Sequence, residues 1–278
     1  MRHLIAVSVL SLAVCAACSH VPPAATPASA NTPATAPAAA GATTADARLN
    51  AWFERKYEEQ LRFSPIELTM LGRKELYSEL GDMSREGAAK ELAWHVAAVE
   101  EMKSSFDYDA LGDDAKLSWD LFVYQMEAAH AANRFSDHRY PFEQMGGRQS
   151  FLPTFLINFH KVETEADYVA FVARLREVPR AFGQLMDQVK RSAAAGIRPP
   201  RFAHEGVIEQ AGKVVTGAPF TDGKDSALWA DAQAKADALV KAGTIDAARA
   251  QELKADARKA LVERVQPAYA DVIAWYKA

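Results

Sequence analysis

Apolar side chains recur at intervals of three and four residues along most of this sequence, and this spacing restricts the fold more than any other feature. Such a period places the apolar residues on one face of successive α-helices. A clear example lies between residues 46 and 61, where the apolar positions are Leu49, Trp52, Phe53, Tyr57 and Leu61. No segment alternates apolar and polar residues as a half-buried strand does. We therefore predict an all-α protein, built as an irregular array of many helices.

Residues that commonly begin and end helices support this prediction. Ser64 before Pro65, Ser84, and Thr164 three residues before Asp167 are N-terminal signals, and the last pair resembles a capping box. Helices are expected to end at three glycines, because glycine accepts the left-handed conformation of a helix C-terminus. These glycines are Gly72, Gly196 and Gly243.

The region between residues 113 and 160 is expected to contain one regular helix and one irregular segment. Asp113 is expected to cap a helix that carries Leu117, Leu121 and Tyr124 on its apolar face. The following stretch, residues 139–160, combines Gly and Pro with many aromatic residues and has no clean period. We expect it to cross the interior irregularly, with short helical turns.

Three later boundaries follow from the same reasoning. Pro179 is expected to begin a new helix, because proline fits the first helical position. Thr244 is expected to cap a final long helix, which Pro267 kinks or interrupts.

The first 18 residues have the build of a secretory signal peptide. A short basic start precedes an apolar run that is too short for a mature membrane span, which needs roughly 20 apolar residues. The run ends in Val14-Cys15-Ala16-Ala17-Cys18, which resembles a bacterial lipobox. We predict lipidation at Cys18 rather than Cys15, because small Ala17 precedes Cys18 and bulky Val14 precedes Cys15. The alternative is ordinary cleavage near Ala16 or Ala17, with release into the periplasm.

Residues 19–45 are expected to form a disordered tether between this leader and a folded part, residues 46–278. The segment consists almost entirely of Ala, Pro and Thr, and it cannot bury enough apolar surface to offset its chain entropy. Ser19 favours the outer membrane as the site of anchoring, with the protein facing the periplasm.

The charge balance argues against nucleic acid as a partner. Of the 32 Lys and Arg residues only Arg2 precedes residue 46, so the folded part carries 31 basic side chains against 36 acidic ones. A mildly acidic surface does not attract a polyanion. Both cysteines, Cys15 and Cys18, lie in the leader, which excludes a thiolate metal site or a cysteine nucleophile from the folded part.

Motifs that carry chemistry are weak throughout the folded part. There is no His-Glu-x-x-His, no Gly-x-Ser-x-Gly and no phosphate-binding loop. Glu127 and His130 share one helical face, as in bundle metal sites, but a solvated helix end explains one such pair better. We predict no catalytic residue and no metal ligand in this chain.

Two arginines are candidates for binding an acidic group. Arg148 follows two glycines in an apolar stretch, where close backbone approach would allow it to bind a carboxylate. The alternative is a tight turn with a surface arginine. Arg201 follows a rigid Pro-Pro corner and either orients an acidic group or pairs with acids at a helix end. With Gln149 and His160, these two arginines are the predicted substrate-binding residues.

The last residues form an apolar helical face with no helix-ending signal. Val272, Trp275 and Tyr276 lie within seven residues of the end. Large apolar residues there favour a partner surface. We expect that partner in a segment beyond Ala278; the alternative is that the last helix packs on its own domain.

Several stretches together resemble the N-terminal half of a bacterial protein family, the DUF885 proteins. The most specific runs from Ala193-Ala194-Ala195-Gly196 through Ile197-Arg198-Pro199-Pro200-Arg201-Phe202. Others are Phe63-Ser64-Pro65 through Leu71-Gly72, Gly147 through Leu156, His160, Tyr168 through Leu175, Val178-Pro179 and Val207-Ile208-Glu209-Gln210. The resemblance covers roughly residues 45–278.

The resemblance implies one half of a larger, zincin-like helical fold. The zinc motif of the family, of the type His-Glu-x-x-Pro-Gly-His-His, lies in the other half, so no position here corresponds to it. The hypothesis is therefore the N-terminal helical part of a periplasm-facing zinc metallohydrolase acting on peptide-like substrates. This part would supply groove walls, would be inactive alone, and would pack against the missing half; zinc is expected only in a full-length relative.

Two other hypotheses remain open. One is a self-contained helical lipoprotein of the cell envelope, acting as a binding or scaffold module. The other is a carboxylate-histidine metal protein centred on Glu127 and His130.

Overall fold

The computed structural model describes residues 44–278, and this part consists of α-helices joined by loops. No strand forms within that range, which confirms the predicted all-α class. The helices are α1 (Ala45–Leu61), α2 (Pro65–Met70), α3 (Arg85–Ser105), α4 (Asp113–Asn133), α5 (Arg148–Asn158), α6 (Glu165–Ala194), α7 (Arg201–Val214), α8 (Ala227–Lys241), α9 (Ala247–Ala260) and α10 (Gln266–Lys277). A 3-10 turn covers Ser136–His138, and a π-helical turn covers Leu261–Val265.

The longest helix, α6, lies at the centre of the main core. One side of it is buried along nearly its whole length, from Tyr168 to Val189. It packs against the π turn, α8, α9 and α10, while α5 packs on α7 and α8. A second, smaller core joins α1, α3 and α4 around Trp52, Met102 and Trp119. The central helix therefore fixes the position of most of the other elements.

The predicted helix starts are confirmed by the hydrogen bonds that cap them. The side chains of Ser64 and Ser84 accept from backbone N–H groups of the first turns of α2 and α3. Thr164 and Asp167 form the full capping box: Thr164 Oγ1 accepts from Asp167 N at 3.2 Å, and the Asp167 carboxylate accepts from Thr164 N at 2.9 Å. Each cap occupies backbone donors that the helix itself leaves free.

The expectation for α4 was wrong in two respects. Its N-cap is Gly112, which makes no side-chain cap, and Asp113 is the first helical residue. Its buried residues are Ala115 and Trp119. The supposed core face is exposed instead, and its members Leu117, Leu121 and Tyr124 are 59%, 50% and 66% exposed. Spacing shows that an apolar face exists but not whether a neighbouring element covers it.

Pro179 and Pro153 are both accommodated inside helices. Pro179 lies within α6, which runs unbroken from Glu165 to Ala194, so the prediction of a new helix there was wrong. Pro153 lies within α5, which gives the 139–160 stretch more regular structure than expected. A proline inside a helix removes one helical hydrogen bond, but the buried side chains of Val178 and Phe182 on either side of Pro179 hold the helix against the core.

The predicted cap at Thr244 was also wrong. Gly243 has φ of 70° and ends α8, and the N–H of Thr244 returns to the Leu239 carbonyl at 2.9 Å, as part of that helix end. Asp246 caps α9 instead, by accepting from the N–H of Arg249 at 2.7 Å. The expected interruption near Pro267 takes the form of the π-helical turn before α10.

The last helix packs on its own domain, as in the second of the two alternatives. Val272 is fully buried, and the Tyr276 hydroxyl donates to the Phe142 carbonyl at 3.1 Å. Trp275 is only partly buried against the same core. Among residues 44–278, no helix has the length and apolar character needed to cross a membrane.

Candidate substrate cleft

A polar cleft of about 410 Å³ lies between the α2–α3 region and the region where the 3-10 turn, α5 and α6 meet. Its two sides come from different parts of the chain, and we name them by their charge. The acidic wall carries Glu67, Asp82 and Glu91 with one cation, Arg85. The basic wall carries Arg139, Arg148 and Arg191 with one carboxylate, Asp137.

The acidic wall is held by side chains of α6. Arg180 Nη2 donates to the Gly81 carbonyl at 3.0 Å. Gln184 Nε2 donates to Asp82 Oδ1 at 2.9 Å, and its oxygen accepts from Met83 N at 2.9 Å. Asp82 also accepts from the N–H of Ser84, and this hydrogen bonding keeps the pKa of its carboxyl below the ordinary value. The loop that follows α2 is therefore fixed in place rather than free.

The basic wall is tied to the same helix. Ser192 Oγ donates to the Asp137 carbonyl at 2.6 Å, and Gln188 Nε2 donates to the Ser136 carbonyl at 3.0 Å. Asp137 Oδ1 lies 4.0 Å from Arg191 Nε. This Nε is buried and has no hydrogen-bond acceptor among the described residues.

Arg148 enters the cleft because it is the first residue of α5. Its backbone N–H donates to the Pro141 carbonyl at 2.9 Å, and its guanidinium lies 5.0 Å from the ring centre of Phe151. The helix can begin there only because Gly147 has no Cβ: an added Cβ would overlap the backbone N and O of Glu143 and Oε1 of Gln149. The position of the predicted carboxylate-binding arginine therefore depends on the glycine before it.

Six charged groups of the cleft have no ion-pair partner in the part of the chain that the structure describes: Glu67, Asp82, Arg85, Glu91, Arg139 and Arg148. Within residues 44–278 no carboxylate oxygen lies within 4.0 Å of Arg139 or Arg148, and no Lys, Arg or His nitrogen lies that close to Glu67 or Glu91. Burial and the nearby charge of Glu67 raise the pKa of Glu91. Elsewhere on the surface such groups commonly pair, as Arg73 does with Glu58 and Glu75. The cleft is therefore a place where opposite charges face each other without being neutralised locally.

Gln149, a predicted substrate-binding residue, is fully buried behind this cleft. Its Nε2 donates to the Glu143 carbonyl at 2.6 Å and to Gln210 Oε1 at 2.9 Å, while Gln210 Nε2 donates to the Gln144 carbonyl at 2.8 Å. The amide thus joins the start of α5 to α7. Its own Oε1 is buried without a donor among the residues described.

His160, another predicted binding residue, is also fully buried, in a cluster beside the acidic wall. Its Nδ1 accepts from Arg174 Nη1 at 2.9 Å, and its Nε2–H donates to the Asp167 carbonyl at 2.9 Å. Arginine can only donate, so the proton must lie on Nε2 and the ring must be neutral. Burial lowers the pKa of His160 to about 4. Both ring nitrogens are thus used inside the protein.

Arg174 is the residue of this cluster that the sequence analysis missed. It is fully buried, and its guanidinium lies between the rings of Tyr77 and Phe155, 4.9 and 5.0 Å from their centres. It donates to the carbonyls of Glu79 at 3.0 Å and Pro65 at 3.3 Å, and to other groups of the same cluster. The available signal was its position within the apolar stripe of α6, where an arginine is unusual.

The remaining predicted residues lie apart from the cleft lining or outside the described range. Arg201 is exposed and its Nε lies 3.4 Å from Glu205 Oε1, one turn on, as in the alternative of a pairing with helix acids. Glu127 and His130 are both exposed on α4. Within residues 44–278 no three His, Cys, Asp or Glu side chains form a group that could hold a metal ion. Cys18, the signal peptide and most of the tether lie outside the described residues.

Comparison with known proteins identifies a family and finds a structural neighbour. The family model described as bacterial protein of unknown function (DUF885) matches residues 65–278. The crystal structure of a "putative lipoprotein" from Colwellia psychrerythraea is similar, with a TM-score of 0.62 at 12% sequence identity. The match covers 84% of this chain but 41% of that one, so this chain spans less than half of the neighbour's length. The comparison with curated proteins finds no match.

The Gly147→Ala variant is expected to lose stability, because the new Cβ overlaps the Glu143 backbone and the start of α5 must shift. A cost of roughly 1–3 kcal/mol in the free energy of unfolding is typical of such overpacking. Urea unfolding of the purified protein measures it. Gly146→Ala is the matched control, since its Cβ would meet only Glu143 Oε1, at 3.5 Å. Equal stability of the two variants would contradict this account.

The buried neutral His160 is expected to make the folded state sensitive to mild acid. Its pKa of about 4 in the folded state lies below the unfolded value of about 6.5, so the unfolded chain binds more protons between these limits. The free energy of unfolding therefore falls as pH decreases through this window, with a slope of up to about 1.4 kcal/mol per pH unit.

Urea unfolding between about pH 6.5 and 5 tests this, because most carboxylates titrate at lower pH. His160→Asn is expected to be less stable near neutral pH but to show a shallower pH dependence than the parent protein. His130→Asn, at an exposed position of α4, is expected to keep the parent slope. A His160→Asn slope as steep as the parent slope would rule out His160 as the source.

Proposed function

Because the chain belongs to the DUF885 family, we propose that it forms the N-terminal helical wall of a substrate groove in an exported, hydrolase-like protein. The observation that carries this proposal is the cleft with charged groups left unpaired on both walls. Isolated charges in a cleft raise the free energy of the protein unless a ligand or a further segment compensates them. Charged ligand groups on a peptide-like substrate would do so.

The proposed activity requires more protein than this chain. The Colwellia neighbour is described as a "putative lipoprotein" and is more than twice as long as the part that matches. We place the catalytic chemistry and the packing partner of the present helices in such a further segment. Zinc bound there would polarise a scissile carbonyl and activate water. No group of three metal-binding side chains occurs among the described residues of this chain, so the ligands of that metal would come from the further segment.

The role of the present residues is to bind and orient. The guanidinium groups of Arg139 and Arg148 would hold an anionic group by charge-assisted hydrogen bonds. Glu67 and Glu91 would hold a cationic group on the opposite wall. The attachments of both walls to α6 would keep these groups in fixed positions, as substrate orientation requires.

We further propose that the protein is exported and lipid-anchored at Cys18, facing the periplasm from the outer membrane. The apolar leader ending in Ala16-Ala17-Cys18 supports this, as does the description of the structural neighbour as a lipoprotein. Residues 19–45 would hold the helical domain away from the lipid surface.

One observation favours the alternative of a self-contained binding or scaffold module. The exposed stripe of Leu117, Leu121 and Tyr124 on α4 is an apolar surface of the kind that binds another protein. The cleft favours the groove-wall role more strongly, because its unpaired charges lie in a concave site and the stripe lies on an open helix.

The chain alone is expected to bind peptides without cleaving them, with or without added zinc. A longer product, expressed from the DNA that continues past the codon for Ala278, is expected to bind zinc and to hydrolyse unstructured peptides. Mass spectrometry of the peptide products and metal analysis measure both properties. Hydrolysis by the 278-residue chain itself would contradict the groove-wall role. Downstream DNA that encodes no zinc motif would favour the binding or scaffold module.

Replacing Cys18 by Ala is expected to abolish lipid attachment, because only the acceptor thiol can carry the lipid. Labelling with a radioactive fatty acid in a bacterial host, followed by detergent phase separation, measures attachment. Cys15→Ala is the matched control and should still be labelled. Labelling that survives in Cys18→Ala, or is lost only in Cys15→Ala, would refute the assignment.

A further inference from the structure

The two walls of the cleft differ in charge, and this difference is informative about the ligand. The acidic wall carries three carboxylates against one guanidinium, and the basic wall carries three guanidiniums against one carboxylate. The two walls cancel in sum, so the cleft as a whole does not select a simple anion or a simple cation. The opposite net charges of the walls create an electric field directed from the basic wall to the acidic wall.

Some of these charges are already engaged within the protein. Asp137 lies beside Arg191, and Asp82 accepts hydrogen bonds from Ser84 N and Gln184 Nε2. The groups that remain available are therefore Glu67, Glu91 and Arg85 on one side, which keeps a net negative charge, and Arg139 and Arg148 on the other. A ligand that satisfies both sides must carry a positive and a negative group, held apart by the width of the cleft.

We infer that the cleft binds a short peptide with free ends, its ammonium group at Glu67 and Glu91 and its carboxylate at Arg139 and Arg148. This inference rests on the proposed function in placing the substrate in the same cleft. A volume of about 410 Å³ lies in the range of small-ligand sites. The pKa of Glu91, raised first by burial and second by the charge of Glu67, agrees with it, since a bound ammonium would stabilise the ionised carboxylate.

The geometry of the arginines favours a carboxylate on their side. A guanidinium presents its N–H groups as a planar fork that matches the two oxygens of a carboxylate. Arg148 is held in place by the start of α5 and by its contact with Phe151.

The test uses the full chain and four forms of trialanine: free, N-acetylated, C-terminally amidated, and blocked at both ends. Isothermal titration calorimetry at neutral pH measures their affinities. Free trialanine is expected to bind, each single block to weaken binding about tenfold or more, and the doubly blocked form to bind weakest, because each block removes a charged contact. Equal affinities for the four forms, or no binding of free trialanine, would overturn the inference.

Variants assign each end of the peptide to its wall. Arg148→Gln is expected to narrow the affinity difference between the acid and the amide, and Glu91→Gln to narrow the difference between the free amine and the acetylated form. Lys213→Gln and Glu209→Gln are matched controls, because these residues form an exposed pair on α7 away from the cleft lining. If either cleft variant weakened the binding of all four peptides equally, the effect would be structural, and the assignment of peptide ends to walls would be contradicted.

Two further probes separate a peptide from smaller ligands. Free alanine has both charges close together and is expected to bind more weakly than trialanine, whereas inorganic phosphate has only the negative charge and is expected to bind weakest. Tighter binding of either small ligand than of trialanine would overturn the inference. These affinities do not depend on hydrolysis. The inferred mode of peptide binding can therefore be wrong while the groove-wall role is right, and the groove-wall role can be wrong while the inferred binding is right.

Discussion

The arrangement of this protein around its cleft depends on one buried guanidinium. Arg174 extends from the middle of α6 into the interior, where two aromatic rings cover its faces and neutral oxygen and nitrogen atoms accept its hydrogen bonds. Burial lowers its pKa to about 10, so it stays charged near neutral pH. Burying a cation without a carboxylate is costly, and every acceptor therefore has to be in place. Meeting this requirement fixes α2, the loop before α3 and the end of α5 relative to the central helix.

This attachment gives the cleft its rigid acidic wall. The carbonyls of Pro65 and Glu79, which accept from Arg174, flank the segment that leads to Asp82. Further along α6, Arg180 and Gln184 hold the next residues of the same loop. Because the opposite wall is also attached to α6, through Gln188 and Ser192, a single helix sets the separation of the two walls. The charged groups on them can remain unpaired since neither wall can move to neutralise the other.

The sequence predicted the fold class and most helix boundaries, but it predicted the site only in part. Caps such as Ser64, Ser84 and the Thr164–Asp167 box could be predicted because they depend on residues a few positions apart. Arg148 was identified from the glycines before it, and it does line the cleft. Gln149 and His160, chosen with it, are buried and bonded within the protein. Their substrate contacts stay predictions.

What the sequence by itself determined is local: apolar spacing, capping residues and glycines specify where helices lie, because helix hydrogen bonds join residues close in the chain. What only the tertiary structure decided is which helical faces are covered and which charges meet. The apolar stripe of α4 has the spacing of a core face, but it is exposed. Arg174 is a residue type expected at the surface, but it is buried. Glu67 and Arg148 share one cleft although 80 positions separate them, because long-range packing on α6, and no local signal, brings their elements together.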